Sequence, residues 1–241
     1  MASDPRTDRV AQLTEQFQEI VEHYFSIQCR YQSAIREVQT KLEILDDEFQ
    51  SKHSRNPIHH MQSRMKSLPS ITEKLRRKGI PLTIEAATQQ LTDIAGIRVI
   101  CSYIDDIYTI ADLLIKQDDV RVVKWRDYIK QPKPNGYRSL HIVIEIPVFL
   151  QEGKIFVPVE VQIRTIAMDF WATLEHHLRY KGITDIPTDI SDELQRTAED
   201  ICRLDERMLN IRNRVDALET SEHAPQQEEK PAEEAHTTTL A

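Results

Sequence analysis

At 241 residues the chain has room for one large domain, or for one domain with helical flanks, and its 40 % hydrophobic and 29 % charged residues suit a packed core under a well-solvated surface. A formal net charge of −8 argues against a stable nucleic-acid partner, so any polyanion site must be a local basic patch. The three cysteines, Cys29, Cys101 and Cys202, are odd in number and far apart with no Cys-x-x-Cys pair, which fits a reducing, cytoplasmic setting rather than a disulfide framework or structural zinc. The N-terminus carries no apolar signal core, and no apolar run approaches the ~20 residues that span a membrane.

Residues 1–57 predict N-terminal helices. Val10, Leu13, Phe17, Ile20 and Tyr24 form one apolar stripe, and Ile35, Val38, Leu42, Leu45 and Phe49 a second, as two helices or one long broken one. His59 and His60 lack a nearby acidic or thiol partner, which disfavours a metal pair. A helix follows Leu68-Pro69, with Ser70 as N-cap, Glu73 completing a capping box and Gly79 as C-cap. It carries Lys74, Arg76, Arg77 and Lys78 close after Arg64 and Lys66, a concentration of positive charge that suits a polyphosphate, or else simply favours the macrodipole. After a short helix at 83–92, Ile94–Cys101 reads as a buried strand broken by Arg98 and preceded by Asp93. Such charges are functional or form a structural pair.

Asp105–Lys116 predicts a helix, Val120–Trp125 a strand, and Arg126–Pro134 a loop with Arg126, Lys130 and Lys133. Lys133-Pro-Asn-Gly-Tyr-Arg-Ser-Leu-His141 then turns into the strand Leu140–Ile146. Lys133, Tyr137, Arg138 and His141 gather where loop meets sheet, and a ring among cations suits a nucleotide; the competing reading is a basic hairpin with an ordinary surface tyrosine. Pro147–Gly153 predicts the hairpin connection. Ile155–Ile163 alternates Val157, Val159, Val161 and Ile163 on one face with Glu160, Gln162 and Arg164 on the other. Thr165–Tyr180 reads as a helix whose Phe170, Trp171, Leu174 and Leu178 are mostly core, and Ile190–Leu218 as a long helix packing on the body or on a partner. From Glu219 the chain is polar and acidic, a composition expected to be disordered.

No glycine-rich phosphate loop occurs, so bound phosphates would be held by side-chain cations. Asp93 and Glu160 would suit Mg²⁺, which takes one or two carboxylates plus substrate phosphates, and Glu160 is also a base candidate.

Three segments in order, Asp93-Ile-Ala-Gly-Ile-Arg98, Gly136-Tyr-Arg-Ser-Leu-His141 and Glu160-Val-Gln-Ile-Arg-Thr165, resemble the RelA/SpoT synthetase domain. Over roughly residues 10–218 the chain is similar to the stand-alone small alarmone synthetases, most of all their RelP-like branch. The resemblance implies an α/β (α+β) fold with a mixed β-sheet of nucleotidyltransferase type wrapped by helices, commonly a homotetramer. Its core would span 58–186, with a C-terminal helix over 187–218 and the acidic tail over 219–241. The implied activity is transfer of the β,γ-pyrophosphoryl group of ATP to the 3′-hydroxyl of GDP or GTP, giving ppGpp or pppGpp. Carried over by motif, Arg64 and Arg98 would sandwich adenine, and Lys66, Ser70, Lys74 and Arg77 would hold the phosphates of ATP. Asp93 and Glu160 would bind Mg²⁺, with Glu160 the base. Tyr137 would stack on guanine while Arg126, Lys133, His141, Gln162 and Arg164 engage the acceptor.

Departures matter too. Where the RelQ-like branch lines a product-binding cleft with lysines and an aromatic, the matching positions are Gln39, Glu43 and His60, and Asp169 stands in place of its asparagine. A carboxylate at Glu43 would repel a pentaphosphate, so pppGpp is not expected to activate strongly. No His-Asp dipeptide occurs, so hydrolase activity is not expected. Two other functions stay in view: an inactive fold of this kind that senses nucleotides or binds single-stranded RNA, and an enzyme transferring a nucleotidyl group.

Overall fold

A computed structural model describes residues 5–53, 55–180 and 187–222, and the side chains of 25–53, 55–178 and 187–218. The element order is α1 (Pro5–His53), β1 (Ile58–Met65), α2 (Leu68–Lys78), α3 (Ile84–Gln90), β2 (Ala95–Cys101), α4 (Ile104–Ile115), β3 (Arg121–Asp127), β4 (Leu140–Leu150), β5 (Gly153–Thr165), α5 (Ile166–Tyr180) and α6 (Thr188–Glu222). The five strands form one mixed sheet in the order β1-β2-β5-β4-β3, in which only the β2–β5 pair is parallel.

The period-2 pattern of β5 decides its orientation. Val157, Val159, Val161 and Ile163 are buried, together with Ala95, Ile97, Val99 and Cys101 of β2 and Leu140, Ile142, Ile144 and Ile146 of β4. Tyr31, Ala34, Ile35, Val38, Leu42 and Leu45 of α1 and Ile107, Ile110, Ala111 and Leu114 of α4 complete this one core at helical spacing. The opposite sheet face keeps its polar residues and carries the site.

Several elements differ from the sequence reading. α1 is a single unbroken helix, consistent with the absence of proline and glycine from Asp8 to Gln50. The side chains of its first apolar stripe, and the acidic tail beyond residue 222, lie outside the described residues. The segment with His59 and His60 is an edge strand. α2 begins at Leu68 with Ser67, not Ser70, at the N-cap; Pro69 sits in the first turn, where its missing N–H is tolerated, and Gly79 closes the helix at φ 66°. β3 continues through Arg126. β4 runs through Pro147 to Leu150, because β3 begins only opposite Glu145 and leaves that edge of β4 without a partner needing the proline N–H. Of the four large apolar residues Phe170, Trp171, Leu174 and Leu178 on α5, Trp171 alone is core and the other three are exposed. Trp171 instead meets α6, packing with Ala172, Ala198, Leu194 and Ile201 and donating its indole N–H to the Leu194 carbonyl at 3.0 Å. Further along α6, Arg212 pairs with Asp105 of α4 at 2.7 Å.

Candidate nucleotide-binding site

Strand register builds the site, because partners across a sheet share a face. Gln62, Arg98, Gln162, His141 and Arg126 form one row across all five strands. The next row is Arg64, Gly96 and Glu160, in which the glycine leaves the floor open between guanidinium and carboxylate. Residues as far apart in the chain as Arg98 and Gln162, or Gly96 and Glu160, are thereby brought side by side by pairing that no local pattern reveals.

Asp93 sits in the loop just before β2 rather than within the strand. The Lys66 N–H donates to the Ile94 carbonyl at 2.8 Å, which brings the end of β1 beside this loop. The Asp93 Oδ2 accepts from Lys66 Nζ at 2.5 Å and from Lys74 Nζ of α2, with all three side chains mostly buried. Burial alone would raise the Asp93 carboxyl, but the two ammonium groups outweigh it and hold it below the usual carboxylate range. Its other oxygen, Oδ1, is buried with no hydrogen-bond partner.

Glu160 is fixed from both sides. Its Oε2 accepts from Gln162 Nε2 at 2.7 Å, and His141 Nδ1 lies 3.6 Å from Oε1. Burial again pushes the carboxyl up, and His141 together with Gln162 brings it below the ordinary value, so Glu160 is ionised at neutral pH. Asp93 and Glu160 line one cleft of about 170 Å³ with Gln62, Arg64, Gly96, Ile97, Arg98 and Gln162. Two ionised carboxylates, one with an unpartnered buried oxygen, fit a hard divalent cation that completes its shell with phosphate oxygens. Among the described residues no group of three His, Cys, Asp or Glu side chains could hold a metal by themselves, His59 and His60 included.

A second cleft, of about 380 Å³, shares Arg64, Arg98 and Gln162 with the first and is closed by Lys133, Asn135, Tyr137 and Arg164. The Lys133 ammonium lies 4.4 Å from the Tyr137 ring centroid. Asn135, Gly136 and Tyr137 are held by a turn in which the Gly136 N–H donates to the Lys133 carbonyl at 2.8 Å. Asn135 Nδ2 reaches Glu175 of α5 at 3.0 Å. Gly136, at φ 86°, lies against Ala198 of α6, and Arg138 Nη1 donates to the Ala198 carbonyl at 3.3 Å. Asp169 lies between two cations, 3.3 Å from Arg164 and 3.6 Å from Arg98. Burial presses the Arg164 guanidinium pKa down, and Asp169 opposes it.

Thus Arg64, Lys66, Lys74, Asp93, Arg98, Lys133, Tyr137, His141, Glu160, Gln162 and Arg164 converge, and Arg126 is the cross-strand partner of His141. Ser70 and Arg77 are exposed on α2, where Ser70 Oγ bonds Ser67 Oγ at 3.0 Å. Sequence reasoning missed Gln62, Gly96, Asn135 and the α5 wall of Ala172, Thr173 and His176. The i, i+3, i+4, i+7 spacing from Asp169 was the available signal for that wall.

Residues 63–185 match the model of a region found in RelA / SpoT proteins. The GTP pyrophosphokinase YwaC of Bacillus subtilis is 49 % identical over 186 residues, 77 % of this chain and 89 % of that protein. The crystal structure of small alarmone synthetase 1 from Bacillus subtilis bound to its product pppGpp superposes with TM-score 0.71 at 42 % identity, covering 77 % of this chain and 94 % of that one. The same synthetase bound to AMPCPP gives TM-score 0.65 at 37 % identity, covering 77 % and 93 %. Sequence motifs, sheet order and likeness over nearly the full length of these short proteins agree: the chain belongs to the RelA/SpoT family.

Proposed function

We propose that this chain is a (p)ppGpp synthetase, a GTP diphosphokinase that moves the β,γ-pyrophosphoryl group of ATP onto the ribose 3′-hydroxyl of GDP or GTP and releases AMP. The observation that carries this reading is a pair of clefts of different character sharing Arg64, Arg98 and Gln162, with Glu160 lining the first and accepting a 2.7 Å hydrogen bond from the shared Gln162. Likeness to chains holding AMPCPP and pppGpp supports it.

In this reading Arg64 and Arg98 stack on adenine, each worth ~0.5–2 kcal/mol. Lys66 and Lys74, with Ser70 and Arg77 nearer the rim, hold the phosphates of ATP; the phosphates draw the two ammonium groups away from Asp93. Tyr137 stacks on guanine at ~1–3 kcal/mol, and Lys133, Arg126, His141, Gln162 and Arg164 orient the phosphates and ribose of the acceptor. Asp93 and Glu160 would hold Mg²⁺, which when bound neutralises charge on the phosphates. The 3′-oxygen attacks the β-phosphorus in line, and the bond from that phosphorus to the α,β-bridging oxygen breaks. The oxygen departs on AMP, and the hydroxyl proton passes to Glu160. A carboxylate held below its usual pKa suits this step, because a loose transition state asks for alignment more than for base strength.

Assembly is part of the proposal. Leu204, Met208, Ile211, Val215 and Leu218 of α6 repeat at steps of four and three and are 45–64 % exposed, a seam that suits a second helix. It supports self-association, with a homotetramer as the expected state. No helix among the described residues is long and apolar enough to cross a membrane.

The test is to resolve the nucleotides after incubation with ATP, GDP and Mg²⁺. Equal amounts of AMP and ppGpp are expected. Released pyrophosphate would indicate nucleotidyl transfer, and binding without AMP a sensor.

A further inference from the structure

Five side chains of the site close into a ring. Glu160 Oε2 accepts from Gln162 Nε2 at 2.7 Å, and Gln162 Oε1 accepts from Arg164 Nη2 at 3.0 Å. The same Arg164 nitrogen donates to the Tyr137 phenol oxygen at 3.3 Å. That oxygen is 2.9 Å from His141 Nε2, and His141 Nδ1 faces Glu160 Oε1 at 3.6 Å, completing the circuit.

The ring has a direction, because one member can only donate. A guanidinium has no acceptor, so the phenol oxygen receives the Arg164 N–H and must spend its own proton elsewhere. Its hydrogen-bonded neighbour is His141 Nε2. The Ser139 oxygen, whose own proton goes to the Ile163 carbonyl at 3.1 Å, is the rival acceptor, but the close hydrogen bond of the phenol is the 2.9 Å one to the imidazole. An imidazole that accepts at Nε2 carries its single ring proton on Nδ1, the nitrogen turned toward Glu160. The Gln162 amide obeys the same logic: its oxygen faces the arginine, so its NH₂ faces the carboxylate.

We propose that the Tyr137 hydroxyl is a positioning group for the transfer step: it fixes His141 as the Nδ1–H tautomer and thereby aims an N–H at the Glu160 carboxylate. Tyr137 then has two separable functions. Its ring face recognises the acceptor base, and its hydroxyl sets the geometry of the carboxylate at the reaction centre. The proposal rests on the roles given above to Tyr137 and Glu160. Removing the hydroxyl while keeping the ring lowers kcat and leaves the KM for GDP in place, which a purely stacking tyrosine would not do.

The experiment compares the full chain with its Tyr137→Phe variant. Histidine ring nitrogens are ¹⁵N-labelled, and the His141 signals are identified by their absence from a His141→Gln variant. In mildly alkaline buffer, ring ¹⁵N–¹H correlations are expected to show Nδ1–H in the parent and a move toward Nε2–H in Tyr137→Phe. Steady-state kinetics with GDP are expected to show kcat lower by about tenfold with KM within about twofold, the scale of lost outer-shell orientation. An Nε2–H tautomer in the parent, Nδ1–H persisting in Tyr137→Phe, or a higher KM at unchanged kcat would each overturn the proposal. The tautomer readout needs no turnover, so absence of transferase activity would remove the activity reading while the circuit is still tested.

Discussion

Gly136 offers the sharpest quantitative test of how the acceptor loop is held. At φ 86° it occupies backbone space that costs an L-residue about 1–2 kcal/mol. A Cβ built there would lie 2.6 Å from the Ala198 Cβ of α6, well inside van der Waals contact, and overpacking of that kind costs about 1–3 kcal/mol. Gly136→Ala should therefore destabilise the protein by about 2–5 kcal/mol, a large share of a typical 5–15 kcal/mol. It should also raise the KM for GDP more than that for ATP, because Lys133, Asn135 and Tyr137 move with the loop. Ala198→Gly removes the clashing methyl but not the φ penalty, and adds about 1 kcal/mol for a helical glycine. Urea unfolding of both single variants and the double should thus give a favourable coupling of about 1–3 kcal/mol. Coupling near zero, or a wild-type-like Gly136→Ala, would refute the packing of this loop on α6.

Three further outcomes follow from particular residues. Burial raises the Asp205 carboxyl above its ordinary value despite the 2.7 Å hydrogen bond from Thr165 Oγ1, so its stability contribution is complete in acid and falls as pH rises through the ordinary value toward the raised one. Asp205→Asn, which keeps an acceptor for Thr165, should gain in Tm over the parent as pH goes from acid to neutral; a difference constant with pH would contradict this. Replacing Leu204 and Ile211 by lysine should reduce the particle mass measured by light scattering while leaving the fold intact by circular dichroism, and an unchanged mass would remove α6 from the assembly surface. Glu43 presents an exposed carboxylate one turn from Gln39, whose amide donates to it at 2.9 Å, so micromolar pppGpp should leave the rate within about twofold; clear activation would refute the repulsion argument.

The strand β5 was legible in the sequence because a period of two is a local signal: Val157, Val159, Val161 and Ile163 inward, Glu160 and Gln162 outward. The Asn-Gly turn before Tyr137 and the Gly79 cap were legible for the same reason, each demanding a positive φ. What could not be read was register. The row from Gln62 through Arg98, Gln162 and His141 to Arg126 depends on which strands pair and in which direction, and only the folded chain decides that. Likewise the grip of Lys66 and Lys74 on Asp93 spans 27 and 19 residues and has no local signature. Ser67 and Ser70 both flank the Leu68-Pro69 step, and composition could not choose between them as caps. The apolar residues of α5 were misjudged because periodicity reports an apolar stripe without saying whether this chain covers it.

The central claim is that Glu160 stands where two nucleotides meet and a pyrophosphoryl group crosses between them. A single-turnover reaction with excess protein, Mg²⁺, GDP and ATP radiolabelled at the β-phosphorus tests it, run beside Glu160→Gln with binding of both nucleotides measured separately. The label should pass into the 3′-diphosphate of ppGpp with an equal amount of unlabelled AMP, at a rate at least about a hundredfold lower in the variant although both nucleotides still bind. Label recovered as inorganic pyrophosphate, or transfer undiminished in Glu160→Gln, would contradict the account.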